Sequence, residues 1–439
     1  MKTSTAIKIF LKSILFIVIF YFLSVGTAFI LKDDSESYAR ILMHEFYNQD
    51  NIDILYCGAS HVSHGITPVL ADKINGKNNF STGTASQTIE GTYAILRQAV
   101  KLYKVEKVFM EMDFAVSAKY GKNSRKGFAA DYIVSDYMKD PEIKLEFLTS
   151  ISKPNYYINH ILPIGKDKHM TLNPVKIVKK IKSIVSGDYY SYVYKSDDSE
   201  YDGKGCVLNL DYIENGTFSN NVIEGKINLA NISDEYKETI DKIIKLCKEN
   251  NIELIFYSMP CSDYYLAEKG NYDDYYDFCR NFLSERGFAY YDFNLANEKY
   301  LKLEDSDFSD DNHLSKKGVY KWTQVFCDYF FTHNKSQDDM FYSSYAEKLK
   351  NQEDRIFGLV LLQSDDKKSV NIRPMVNHAD PSLITYDVTA ICNGQEILLA
   401  EKTSETSIKL PAGKSGKLRV TSYLNGIQQN VCTENFAAF

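Results

Sequence analysis

Hydrophobic and polar positions divide the chain into three regimes. The first is Ser13 to Leu31, an uncharged run reading SILFIVIFYFLSVGTAFIL. At about 1.5 Å per residue, such a run just spans the hydrocarbon core of a bilayer. Lys2, Lys8 and Lys12 precede it; Lys32, Asp33 and Asp34 follow. The positive-inside rule then keeps the N-terminus cytoplasmic and puts everything after Leu31 outside the cytoplasm. The run is longer than the core of a signal peptide, and no small-x-small cleavage site follows it. An uncleaved, single-pass anchor over 1–34 is expected, with a cleaved signal peptide as the competing reading.

The second regime has a strand–helix rhythm. A short helical approach, Ser35 to Asn48, leads to an apolar run, Asp53 to Cys57, that predicts the first strand. Pro68 to Ile74 predicts a helix with proline in its first turn, and Asn79 to Thr82 a second strand. Tyr93, Leu96, Val100 and Tyr103 share one face of a helix over Ile89 to Tyr103, and Val105 to Phe114 follows as a strand. From Ala115 to Leu229 the rhythm breaks in a stretch rich in tyrosine, lysine and serine, which predicts a long insertion. It resumes with a helix over Asp234 to Asn250, acidic in its first turn, then a strand at Glu253 to Ser258. A helix over Tyr272 to Arg286 stops at Gly287, a strand spans Phe288 to Phe293, and a closing helix runs from Gly318 to Thr332. Alternation of this kind predicts an α/β domain over 35–333 with a parallel sheet covered on both faces. Ligands of such sheets bind at the carboxyl ends of the strands.

The third regime is β-only. After a charged linker over 334–354, short strands follow at Phe357 to Leu362, Val370 to Arg373, Leu383 to Cys392, Gln395 to Ala400, Ser407 to Leu410, Lys417 to Tyr423 and Ile427 to Cys432. Asn393-Gly394 and Asn425-Gly426 are two-residue hairpin signals. A small β-sandwich of immunoglobulin-like size is expected over 355–439.

Composition narrows the function classes. Net charge is -7, which argues against nucleic acid as a partner, because phosphate binding needs a basic face. The 33 tyrosines and 25 phenylalanines fit either an aromatic-lined saccharide groove or simple compositional bias. Eight cysteines occur without a C-x-x-C pair, which excludes zinc-ribbon and thioredoxin-like motifs. A disulfide can form outside the cytoplasm, and Cys392 and Cys432, which share the C-terminal segment, are the candidate pair; most of the others read as buried thiols. Within the insertion, Ile177, Val178, Ile181, Ile184 and Val185 share a helical face, with Lys176, Lys179, Lys180 and Lys182 around the rest. That helix is read either as packed with a solvated lysine face or as touching anionic lipid or polymer. The insertion as a whole is also a candidate lid over the active edge.

The chemistry rests on two short segments. Gly58-Ala59-Ser60-His61 follows the first strand, and Asp310-Asp311-Asn312-His313 precedes the closing helix. A serine hydroxyl is a weak nucleophile near neutral pH. It needs an imidazole to accept its proton and a carboxylate to hold that imidazole in the right tautomer. Ser60, His313 and Asp310 supply the trio, with Asp311 as an alternative carboxylate. His61 and His64 flank the serine and are candidate substrate contacts or turn-forming residues; no metal or cofactor is expected.

These residues resemble the SGNH (GDSL-like) hydrolase superfamily over about Ile52 to Phe331. The anchor and long insertion are similar to a branch of extracytoplasmic proteins that accompany membrane-bound O-acyltransferases, including the teichoic-acid D-alanyl-transfer and alginate O-acetyltransferase proteins. Phe80 to Gln87 resembles the second block of that branch. The resemblance implies a flavodoxin-like three-layer parallel sheet, with Ser60 as nucleophile, His313 as base, Asp310 as its orienting carboxylate and Gly83 as an oxyanion-hole donor. The superfamily's asparagine after the third strand has no counterpart: the chain reads Glu111-Met112-Asp113-Phe114. An anion there would repel a developing oxyanion. Gln87 or Ser86 is the candidate replacement donor.

Three functions follow as expectations. One is O-acyl transfer to a cell-surface polysaccharide or teichoic acid, with a membrane-bound O-acyltransferase partner. The second is a membrane-anchored carbohydrate esterase. The third is a catalytically degenerate scaffold or polymer-binding protein.

Overall fold

The computed structural model describes residues 2–117, 129–214, 226–332 and 336–438. Parts of the expected insertion (118–128 and 215–225) and the first expected linker residues (334–335) lie outside the described residues.

The N-terminal helix Lys2–Leu31 contains an apolar span, Ile7–Leu31, long enough to cross a membrane, and 6% of it is buried against the protein. Six residues separate it from the helix Tyr38–Phe46, which turns Ile41, Leu42, Met43 and Phe46 into the core. Strands β1 (Ile54–Cys57), β2 (Asn79–Ser81) and β3 (Lys107–Glu111) follow. The insertion supplies an antiparallel hairpin of β4 (Ser199–Gly203) and β5 (Cys206–Asn209). β6 (Glu253–Ser258) and β7 (Tyr290–Asp292) complete a five-stranded sheet in the order β2-β1-β3-β6-β7. All its pairings are parallel.

Alternating strand residues feed two separate cores, which is why these strands read as continuous apolar runs. Leu55, Cys57, Val108, Met110 and Phe256 pack on one face. Ile54, Tyr56, Phe109 and Tyr257 pack on the other, against Trp322 and Phe326 of the helix Lys316–Cys327. The expected closing helix changes to a π-helical turn at Asp328–Thr332.

Helices Gln337–Met340 and Tyr345–Lys350 lie within the charged stretch read as a linker. Tyr345 and Lys348 are buried there, and the Lys348 ammonium meets Asp263 at 3.2 Å. This stretch therefore clamps the C-terminal part onto the α/β domain rather than spacing it away.

The C-terminal part has β8 (Arg355–Gln363), β9 (Ser369–Asn377), β10 (Ile384–Cys392), β11 (Gln395–Thr403), β12 (Ser407–Lys409), β13 (Gly416–Leu424) and β14 (Ile427–Phe436). They form two antiparallel sheets, β12-β9-β8 and β11-β10-β13-β14, around one core. Both Asn-Gly turns have positive φ at both residues: 52° and 79° for Asn393-Gly394, 50° and 76° for Asn425-Gly426. That is the geometry for which the pair was read.

The candidate Cys392–Cys432 disulfide is not formed. All eight cysteines are buried. Cys392 lies on β10 and Cys432 on β14, with β13 between them. Two strand spacings amount to about 10 Å, beyond the reach of a disulfide.

Candidate active site

β1 ends at Cys57, and the chain turns sharply through Gly58 and Ala59 into the short helix Ser60–Ser63. Gly58 is required here: an added Cβ would lie 2.5 Å from Val62 Cγ2 and 2.6 Å from Glu111 Oε2. The backbone N–H of His64 donates to Ser60 O at 2.8 Å, and Ser63 Oγ donates to the same carbonyl at 3.1 Å. Ser60 is thus presented on a tight turn at the carboxyl edge of the sheet.

His313 arrives from the other end of the domain. Its loop is fixed by Ser309, whose N–H donates to His313 O at 2.9 Å, and by Ser315, whose N–H donates to Asp307 O at 2.9 Å. Ser315 then caps the helix Lys316–Cys327 by accepting from Gly318 N–H. Between these constraints His313 Nε2 lies 2.9 Å from Ser60 Oγ. Its Nδ1 lies 2.9 Å and 3.1 Å from the two oxygens of Asp310. With Nδ1–H donating to the carboxylate, Nε2 carries the lone pair that accepts the serine proton.

Asp310 is itself held in place. Its Oδ1 accepts the backbone N–H groups of Asn312 at 3.0 Å and His313 at 2.7 Å. Burial would raise its pKa, but the hydrogen bond and charge of His313 and these two amides outweigh that and lower it. The backbone carbonyl of Asp311 accepts from Ser262 N–H and Oγ–H, and burial together with the Asp310 charge raises the Asp311 carboxyl pKa to about 6.

The two flanking histidines separate. His64 lines the cleft with Ser60 and His313, and its ring meets that of His313 edge-on at 5.7 Å. Burial and the His313 charge lower its pKa to about 4, so it is neutral at ordinary pH. His61, also expected beside the substrate, is buried instead. Its Nδ1 lies 3.1 Å from Glu111 Oε1 and 3.8 Å from Asp113 Oδ2. Burial alone would lower the His61 pKa, but Asp113 and Glu111 raise it to about 9. The acids at the end of β3 therefore face the His61 ring beneath the Ser60 turn and favour its protonated form. Among the described residues this trio is the one group whose donor atoms, all within 4.8 Å, are close enough to hold an ion. The 3.1 Å contact is an ordinary hydrogen-bond length.

Gly83 lies flush against the nucleophile turn: an added Cβ would be 2.4 Å from Ala59 O and 2.8 Å from Ser63 N. Gln87, the expected replacement donor, is turned inward. Its Oε1 accepts from Thr84 Oγ at 2.9 Å, and its Nε2 donates to Thr92 Oγ at 2.9 Å. Ser86, in left-handed backbone at φ 51°, lines the cleft beside Ala85.

The cleft holds about 450 Å³. Its far wall comes from the insertion: Asp198, Asn209 and Asp211 face Ser60 across it. Asn209 Nδ2 donates to Ser309 Oγ at 2.8 Å and to Leu314 O at 3.2 Å, tying the hairpin to the His313 loop. Sequence reading missed these residues; the short apolar run Cys206–Leu208, ending in Asn209-Leu210-Asp211, was the available signal. The part of the insertion around β4 and β5 thus lines the cleft. The arrangement can activate a hydroxyl for attack on an ester carbonyl and return the proton to a leaving alcohol. No family model matches the chain, and no curated protein matches it.

Proposed function

We propose that the chain is a membrane-anchored serine acyl-transfer enzyme of the SGNH type, with a flavodoxin-like sheet order. The observation that carries this reading is the continuous contact from Ser60 Oγ through the His313 ring to Asp310, at 2.9 Å on each side. Ser60 attacks the carbonyl of an acyl donor while His313 Nε2 takes its proton. The tetrahedral adduct collapses, the leaving alcohol takes the proton, and the acyl group stays on Ser60 as an ester. An acceptor hydroxyl then gives its proton to His313 and attacks that ester. Ser60 regains its proton, and the acceptor leaves acylated.

Asp198, Asp211 and Asp310 line the cleft, and among the described residues no lysine or arginine does. Such walls favour the hydroxyls of a neutral saccharide over a polyphosphate such as teichoic acid. The acids that replace the superfamily's asparagine are paired with His61, which removes much of their repulsion from a developing oxyanion. The anchor and its flanking lysines support a chain that is mostly extracytoplasmic, working beside a membrane-bound O-acyltransferase.

One observation favours hydrolysis, the esterase reading: half of the Asp310 side chain (51%) is exposed, so water reaches the triad. The test uses the detergent-solubilised full chain with an activated acetyl ester. Acetyl transfer to added neutral glycan faster than release of free acetate supports transfer; acetate release unaffected by glycan assigns an esterase. Absence of any Ser60-dependent turnover or fluorophosphonate labelling overturns both in favour of a non-catalytic scaffold.

A further inference from the structure

A second cavity, independent of the catalytic cleft, lies where the anchor leaves the membrane. It holds about 480 Å³. One wall is a single face of the anchor helix, from Tyr21 through Val25 and Phe29 to Lys32. Those eleven residue steps span about 16 Å, the depth of roughly one leaflet. The opposite wall is cationic at its upper end. Arg40, Lys144 and Lys168 join Lys32 there, against the carboxylates of Asp34 and Asp136. Both acids are already engaged: Asp34 pairs with Lys180 at 2.6 Å and Asp136 with Lys32 at 2.7 Å.

Two features show that positive charge is in excess. The Arg40 guanidinium is stacked between the rings of Tyr189 and Tyr192, at 4.1 and 4.6 Å, is only 5% exposed, and leaves Nη1 without a partner. Lys168 is 8% exposed, and burial together with Lys144 and Lys32 pushes its pKa down to about 8 despite Asp136. A buried cation without an anion is costly, so the site is built for an anionic ligand.

The lower part of the cavity and its surroundings are apolar and outward-facing. Ile161 and Leu162 line it, 62% and 42% exposed, and Ile158 beside them is 67% exposed. The helix Pro174–Ser186 points Val175, Val178, Ile181 and Val185 outward, while its Lys180 is buried. These surfaces surround the end of a membrane-spanning helix, where lipid is the solvent.

We propose that this cavity binds one anionic phospholipid of the adjoining leaflet, its phosphate among Arg40, Lys144 and Lys168 and an acyl chain along Val25 and Phe29. The lipid would be a structural or substrate-presenting partner, bound whether or not Ser60 is catalytic.

The test is native mass spectrometry of the full chain released from detergent micelles, with melting temperature as a second readout. Phosphatidylglycerol should be retained about tenfold better than phosphatidylcholine and should raise the melting temperature. Glycerol 3-phosphate, which lacks acyl chains, should do neither. Lys144→Gln/Lys168→Gln should remove the preference for the anionic lipid. Val25→Trp, which leaves the cationic wall intact and fills the apolar groove, should lower retention as well and keeps the test decisive if the lysine variant does not fold. Equal retention of the two lipids overturns the proposal. So does a full melting shift with glycerol 3-phosphate, or retention unchanged in both variants.

Discussion

At the residue scale, the Ser60, His313 and Asp310 cluster was legible because its two halves are local. Gly-x-Ser after an apolar strand and Asp-x-x-His before a helix each carry their own geometry, and the sheet brings them to one edge. Ser60→Ala should abolish fluorophosphonate labelling and lower turnover by on the order of 10³-fold or more, with little change in melting temperature. Asp310→Asn should keep the serine but leave the imidazole tautomer unsupported, lowering labelling rate by on the order of 10²-fold or more. The fate of Glu111 was not legible, because its partner His61 comes from a different segment and only the sheet register between β1 and β3 brings them together. The same holds for the Gln87 amide, which nearby threonines occupy. The His61 cation makes a pH prediction. Its folded pKa of about 9 stands above the ordinary 6.5, so its stabilisation is whole below pH 6.5 and is lost as pH rises through 9. Thermal melts should therefore show the wild type weakening by a few degrees across that window. A His61→Asn protein should be less stable at pH 6 and flat over the same range.

At the element scale, most strands and helices were readable from periodicity, and the departures have physical causes. The helix Pro174–Ser186 was found, but its apolar residues Val175, Val178, Ile181 and Val185 are exposed, as are Lys176 and Lys179, while Lys180 is buried. Amphipathicity gives two faces without saying which is solvent, and here Lys180 turns in to meet Asp34. The hairpin β4–β5 escaped notice because strands as short as Ser199–Gly203 and Cys206–Asn209 carry little alternation. It closes on β2, where Ser81 N–H donates to Lys204 O at 2.9 Å. The loop after β2 makes a sharper prediction. In Gly83→Ala the new Cβ meets the backbone of Ala59, which cannot yield, so stability should fall by about 1–3 kcal/mol and Ser60 labelling should slow. Gly76→Ala is the control: its Cβ meets open space, so positive φ alone costs about 1 kcal/mol and labelling should be unchanged. Denaturant melts and labelling rates on both proteins separate the two effects.

At the scale of the whole molecule, the anchor is fastened to the domain. Asp34 and Lys180 pair at 2.6 Å, with 5% and 3% of their side chains exposed, and Asp34 also accepts from Tyr137 and Tyr189 hydroxyls. Asp34→Ala should cost about 3–5 kcal/mol, because it strands a buried ammonium, whereas Asp34→Leu/Lys180→Met should restore most of that loss. Chemical denaturation of the three proteins in one detergent checks this. Just beyond, the Tyr38 hydroxyl accepts from the N–H of Ala85, a residue of the catalytic cleft, at 2.6 Å. From Leu31 to Tyr38 the backbone advances seven residues, at most about 25 Å when fully extended. On the proposed reading, the serine therefore works at a set altitude, like a tool bolted to a floor rather than hung from a cable. Polymer segments passing close to the bilayer would then come within its reach, and those farther out in the envelope would not.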